Sequence, residues 1–124
     1  MDKLKEKFHQ KATVLAAEIK DIIKNNGDFK LGEITVAQVY QGMKGMTGMV
    51  TETSKLDPEE GIRFRGYSIP ELREKLPKAK GGNEPLPEGL FYLMLLGELP
   101  TAEQTHEVTA ILQRRSHVPN YVFD

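Results

Sequence analysis

The run Gln41-Gly42-Met43-Lys44-Gly45-Met46-Thr47-Gly48 is the part of the sequence best suited to chemistry. Clustered glycines leave backbone N–H groups open, and a lysine among them adds positive charge, a combination that suits a bound phosphate. The spacing matches neither a Walker A loop nor a Rossmann fingerprint, so no nucleotide class follows from it. A tight structural turn is the plainer reading of the glycines, and a phosphate-proximal Lys44 is the sharper one. Met43, Met46 and Met49 suit the filling of irregular core gaps.

Arg63 and Arg65 stand two apart in an extended stretch, which puts them on one face with Ile62 and Phe64 on the other. Two arginines so placed could clamp a carboxylate or another anion. The simpler alternative is a solvated hairpin face, or internal ion pairs with Glu52 or Glu60. Asp57, Glu59 and Glu60 make an acidic turn, but the alternating oxygen ligands and terminal bidentate glutamate of an EF-hand are missing, so turn chemistry explains Asp57-Pro58. His9, His106 and His117 are isolated from one another, without the i, i+4 partner of a helical metal site. No serine sits in a nucleophile elbow, and there is no cysteine to act as nucleophile, zinc ligand or disulfide partner. No catalytic residue and no metal site is therefore assigned within this chain.

The elements that must position these groups follow from periodicity and caps. Leu4, Phe8, Leu15, Ile19, Ile22 and Ile23 recur at helical spacing and predict a helix over about 2–26 with one buried stripe, stopped by Asn25-Asn26-Gly27. Phe29 to Ile34 reads as an extended connector. Thr35 is an N-cap for a short helix over about 35–42, which the glycines then end. A β-hairpin is expected over about 49–67, with strands at Val50 to Thr53 and Ile62 to Tyr67. Ser68 with Glu71, and Thr101 with Gln104, have the spacing of capping boxes. They open helices expected over about 69–76 and 101–117. A further helix over about 87–97 is apolar almost all round and so needs neighbours on several faces. The segment between Lys78 and Pro87 reads as a polar surface loop. The tail Asn120 to Asp124 is apolar and carries no capping pattern, as expected of a chain that continues. The fold class read from this pattern is mainly α with one small β-hairpin.

Composition sets the outer limits. The 124 residues suit one compact domain or part of a larger one, and 39% hydrophobic with 28% charged residues is ordinary for a folded protein. With 17 Lys and Arg against 18 Asp and Glu, the net charge of −1 supplies no broad field for nucleic acid or an anionic membrane, so neither is expected as a partner. The longest apolar stretch, Gly89 to Leu96, is far too short to span a bilayer. The N-terminus has neither an apolar signal core nor the acid-poor character of a transit peptide.

Long strings of this sequence resemble citrate synthases of the mitochondrial type. They are Ile34-Thr35-Val36 through Gly42-Met43-Lys44-Gly45-Met46, the continuous run from Glu52 to Pro70, Leu76 to Gly82, and Glu84 to Phe91. The resemblance covers nearly the whole chain and is weakest in the first helix. It implies that residues 1–124 are the N-terminal portion of the family's large helical domain. The whole enzyme would condense acetyl-CoA with oxaloacetate and water to citrate and CoA, as a homodimer or higher homo-oligomer. Acetyl-CoA is then a substrate, and no permanently bound cofactor is expected. In that family a His and an Asp handle enolisation, a second His polarises the oxaloacetate carbonyl, and arginines hold the carboxylates; all lie later in the family's chain. The segment alone is therefore expected to be inactive, with the rest of the citrate synthase chain as its partner. Lys44 stands where the family often has an arginine approaching the CoA phosphates, which makes it the candidate CoA contact. A lysine there brings charge without the planar two-pronged fork of arginine. The resemblance leaves open whether Arg63 and Arg65 touch a ligand or serve the architecture. It implies a cytoplasmic location if the source is bacterial and the mitochondrial matrix if it is eukaryotic. Two alternatives remain at this stage: 2-methylcitrate synthase, which shares the fold, and a non-catalytic helical interaction module using Leu90 to Leu96 as its surface.

Overall fold

The computed structural model describes residues 2–123, so Asp124, in which the apolar tail ends, lies outside it. The elements in order are the helices α1 (Asp2–Asn26) and α2 (Val36–Tyr40), strands β1 (Ser54–Asp57), β2 (Gly61–Phe64) and β3 (Tyr67–Ser68), then helices α3 (Ile69–Lys75), α4 (Pro87–Leu96) and α5 (Ala102–Arg114), and a 3-10 turn at Asn120–Val122. The fold is mainly α with a small antiparallel sheet. The chain divides into two compact units, one made of its first nine residues with Glu52 onward, the other of Gln10–Thr51.

In the first unit the sheet has the order β1-β2-β3. Its register is fixed at the β1–β2 turn: Asp57 pairs with Gly61, and one carboxylate oxygen of Asp57 accepts the N–H groups of Glu59 at 2.9 Å and Glu60 at 3.0 Å. This aspartate-closed turn places β1 at 54–57 rather than at Val50 to Thr53, whose β-branched residues lie outside any strand. The turn outweighs β-propensity because it sets which residues can face β2. A third strand follows, since Arg65 and Gly66 both adopt left-handed backbone, φ 48° and 88°, and reverse the chain at once.

Three helices then enclose the core. The Ser68–Glu71 and Thr101–Gln104 boxes both form, each with the side chain of one residue on the backbone N–H of the other, starting α3 and α5. Leu93 of α4 joins Leu72 and Leu76 of the α3 region in one buried cluster, with Phe64 and Tyr67 of the sheet packed against it. Tyr92 and Leu96 join Val108 of α5 in a second, with Leu4 against it. Helix α4 thus serves two clusters from two faces, while Phe91 on a further face stays 46% exposed. The α4–α5 approach is close where Gly89 meets Thr105: a Cβ on Gly89 would sit 3.6 Å from the Thr105 Oγ1. Helix α5 stops at Arg114, short of the expected 117, because Ser116 turns back on Gln113 with its N–H at 3.2 Å and its hydroxyl at 2.8 Å.

The second unit is different in kind. It holds most of α1, the connector, α2 and the glycine segment, and every residue in it except Gln38 and Met46 is exposed. The part of the α1 stripe that lies in this unit is therefore exposed, with Leu15 39%, Ile19 47%, Ile22 59% and Ile23 63% accessible, while Leu4 at the start of the stripe packs against the second cluster of the first unit. Helix α1 ends where expected from Asn25-Asn26-Gly27; a Cβ on Gly27 would come within 2.5 Å of the Ile23 carbonyl oxygen, so only glycine fits.

Candidate functional site

The glycine segment is built as two consecutive turns hung on α2. Thr35 caps α2 in full: its hydroxyl takes the N–H of Gln38 at 3.2 Å, and the Gln38 side-chain oxygen takes the N–H of Thr35 at 3.0 Å. At the other end Gly42 and Met43 both stand at positive φ, 77° and 62°. The N–H of Met43 closes back on the Gln38 carbonyl at 2.8 Å, a Schellman-type bond across the helix end. Positive φ is unusual for methionine, and this bond holds it there.

The second turn runs from Met43 to Met46, whose N–H reaches the Met43 carbonyl at 3.2 Å. Lys44 and Gly45 are its central pair, and Gly45 at φ 74° meets the positive angle that a type II turn asks of its third residue. Lys44 therefore occupies an exposed corner. Its ammonium has no ion-pair or hydrogen-bond partner among the described residues, while its backbone carbonyl accepts from Nε2 of Gln38 at 3.4 Å. A cleft of about 350 Å³ opens beside the turn, lined by Phe29, Leu31, Ile34, Gln38, Gly45 and Met46 among others. The arrangement presents one exposed positive charge at a hydrogen-bonded turn next to a cleft. That suits an anionic group held at a surface and offers no acid–base or nucleophilic chemistry.

The two arginines do not form an anion clamp. Arg63 lies on β2, but Arg65 sits beyond the strand in left-handed backbone, so the alternation that would align them is broken. Each is engaged inside the protein. Arg63 binds Glu60 through Nε at 2.8 Å and also through Nη2, donates Nη1 to the Gly66 carbonyl at 2.7 Å, and lies 3.5 Å from the Glu71 carboxylate. Arg65 directs Nε at 3.1 Å and Nη2 at 2.8 Å onto the Met94 carbonyl near the end of α4, and its Nη1 lies 3.6 Å from the Glu52 carboxylate. These are the internal ion pairs with Glu60 and Glu52 that the sequence offered as the alternative. The helix-end bond of Arg65 carried no sequence signal, because Met94 is 29 residues away.

The carboxylates around Arg63 respond in the expected directions. The N–H groups of Glu60 and then Glu59 hold Asp57 below its ordinary range, and the Arg63 guanidinium does the same for Glu60. Glu71 is lowered by the backbone N–H of Ser68 first and its hydroxyl second. All three serve turns and caps. A further polar group joins Lys7, Tyr92 and Glu98: the Lys7 ammonium meets both the Tyr92 hydroxyl at 3.1 Å and the Glu98 carboxylate, and that carboxylate above all raises its pKa. His106 and His117 are exposed, and among the described residues no three His, Cys, Asp or Glu side chains gather as a metal site. No described helix is long and apolar enough to cross a membrane.

Comparison with known proteins gives one consistent result. The family model described as citrate synthase, C-terminal domain, matches residues 42–124. The chain is 57% identical over 104 residues to the mitochondrial citrate synthase of Xiphias gladius, an alignment covering 84% of this chain and 22% of that protein. It is 50% identical over 119 residues to the mitochondrial citrate synthase of Saccharomyces cerevisiae, covering 96% of this chain and 25% of that protein. With the peroxisomal citrate synthase of the same yeast it shares 45% identity over 119 residues, covering 96% of this chain and 26% of that protein. The chain thus spans about a quarter of the length of the curated relatives it matches.

Proposed function

Because the chain belongs to the citrate synthase family, we propose that it works as part of an enzyme that condenses acetyl-CoA with oxaloacetate and water to give citrate and CoA. The observation that carries this reading is the 57% identity to a citrate synthase across 84% of the chain. Within that enzyme residues 1–124 act as the N-terminal portion of the large helical domain. They supply framework, while the reacting groups come from the rest of the polypeptide. Acetyl-CoA is a substrate, no cofactor stays bound, and the whole protein is a homodimer or higher homo-oligomer. Relatives named as mitochondrial and peroxisomal support an organellar location in a eukaryote; we assign the mitochondrial matrix there and the cytoplasm in a bacterium.

Lys44 is the residue of this chain that meets substrate in this reading. Its exposed corner and unpaired ammonium support a contact to a CoA phosphate, with charge but no bidentate geometry. An exposed pair of this kind contributes about 0.2–1 kcal/mol. The Lys44→Ala variant should then raise the KM for acetyl-CoA roughly 1.5- to 5-fold, leaving kcat and the KM for oxaloacetate unchanged, since ten-fold corresponds to about 1.4 kcal/mol.

The test is a steady-state assay of the protein expressed from its complete reading frame, with release of CoA thiol and formation of citrate both measured. Citrate from acetyl-CoA and oxaloacetate is the expected product, and residues 1–124 alone should give none. Preference for propionyl-CoA, or turnover by residues 1–124 by themselves, would overturn the assignment.

A further inference from the structure

Gln38 is one of two residues between Gln10 and Thr51 that are half-buried rather than exposed, and its polar groups are all used locally. Its N–H goes to the Thr35 hydroxyl and its side-chain oxygen receives the Thr35 N–H. Its backbone carbonyl receives the N–H of Met43 at 2.8 Å, and its side-chain Nε2 reaches the carbonyl of Lys44 at 3.4 Å. The partners themselves fix which way the amide points. Thr35 presents a donor and Lys44 an acceptor, so a flipped amide would set donor against donor and acceptor against acceptor.

We infer that Gln38 is a positioning residue for Lys44, its backbone carbonyl and side-chain amide together holding the corner from which the lysine meets an anionic substrate group. This rests on the reading that Lys44 contacts a CoA phosphate. The two bonds act on adjacent residues. One keeps Met43 in a left-handed conformation that a methionine does not hold unaided, and the other fixes the peptide that follows Lys44. Between them the direction in which the Lys44 side chain leaves the backbone is set before any ligand arrives. The remaining cost of binding is then the ordering of one side chain rather than of a whole loop.

Three variants of the complete protein test this, with Lys44→Ala beside them. Gln38→Met keeps the size of the side chain and loses the amide. Gln38→Glu keeps the oxygen that takes the Thr35 N–H and loses the donor to Lys44. Thr35→Ala loses the helix cap and leaves that donor in place. Gln38→Met should raise the KM for acetyl-CoA by no more than Lys44→Ala does, and Gln38→Glu, which also brings a negative charge beside the lysine, by at least as much as Gln38→Met, with kcat and the KM for oxaloacetate unchanged in both. Thr35→Ala should leave all three constants near the parent values. In a Lys44→Ala background Gln38→Met should add nothing, because the residue acts through the lysine. If Lys44→Ala raises the KM and the Gln38 variants do not, the inference fails and the Lys44 contact stands. If Thr35→Ala matches them, Gln38 is only a cap and the inference fails. No change with Lys44→Ala itself removes the contact and the inference with it, while citrate formation would still support the enzyme assignment.

Discussion

The guanidinium of Arg65 lies on the carbonyl of Met94, with Nε at 3.1 Å and Nη2 at 2.8 Å. Met94 is in the last turn of α4, where carbonyls lack an intrahelical donor and the helix dipole favours a cation. Gly97, the left-handed C-cap at φ 72°, lies beside it, the Arg65 guanidinium carbon being at ordinary contact distance, 3.8 Å, from where a Cβ would stand. The same arginine donates its backbone N–H to the Thr53 carbonyl at 2.8 Å. One residue therefore ties the entry of the sheet to the exit of the buried helix.

Replacing Arg65 separates two contributions. Arg65→Ala loses a charge-assisted bond and the dipole interaction, an expected cost of about 2 kcal/mol in urea unfolding. Arg65→Gly loses the same bonds but relieves the left-handed backbone at φ 48°, and so should recover roughly 1 kcal/mol of that loss. Equal stability of the two variants would show that the backbone at this position carries no strain.

Glu71 offers a pH-dependent test. Its folded pKa lies below the ordinary value of 4.5, because the backbone N–H and then the hydroxyl of Ser68 donate to the carboxylate. A depressed carboxylate stabilises the fold above its unfolded pKa, and the contribution is lost as pH falls through the folded one. Glu71→Gln preserves the capping box, since glutamine serves at that position too, but removes the titration. The urea midpoint of the parent should therefore fall more steeply than that of Glu71→Gln as the pH is lowered from about 4.5 toward 3. Parallel curves over that range would remove Glu71 from the acid transition. Asp57 and Glu60 are lowered as well, so some slope should persist in the variant.

What could be read in the sequence is what is local to it. The Ser68–Glu71 and Thr101–Gln104 boxes are three-residue relations, and the helices start where these pairs predict. The corner at Lys44 follows from the glycine after it. The strand at 54–57 was hidden because Val50 to Thr53 have the better β-propensity, and only the Asp57 turn decides the register. The left-handed Arg65 was hidden for a related reason: in Arg65-Gly66 the glycine advertises a turn, but nothing local says that the arginine joins it. Burial on α1 failed differently, since periodicity reports which face is apolar and not whether an element is present to cover it.

The core itself should answer to packing more than to hydrogen bonding. Leu93 and Thr105 are both wholly inaccessible to solvent. Leu93 fills the cluster with Leu72 and Leu76, and Leu93→Ala should cost about 3 kcal/mol through lost burial and the cavity left behind. The Thr105 hydroxyl donates to the Thr101 carbonyl at 3.0 Å, but that carbonyl also accepts the N–H of Thr105 at 3.0 Å. Thr105→Val keeps the volume, removes a buried hydroxyl together with its bond, and leaves no acceptor unsatisfied, so its cost should stay within about 1 kcal/mol. Urea unfolding of the two variants beside the parent, with unchanged denaturant dependence, measures both. A Thr105→Val loss as large as that of Leu93→Ala would mean that the hydroxyl's bond to the Thr101 carbonyl at the start of α5, and not packing, carries the stability at this buried position.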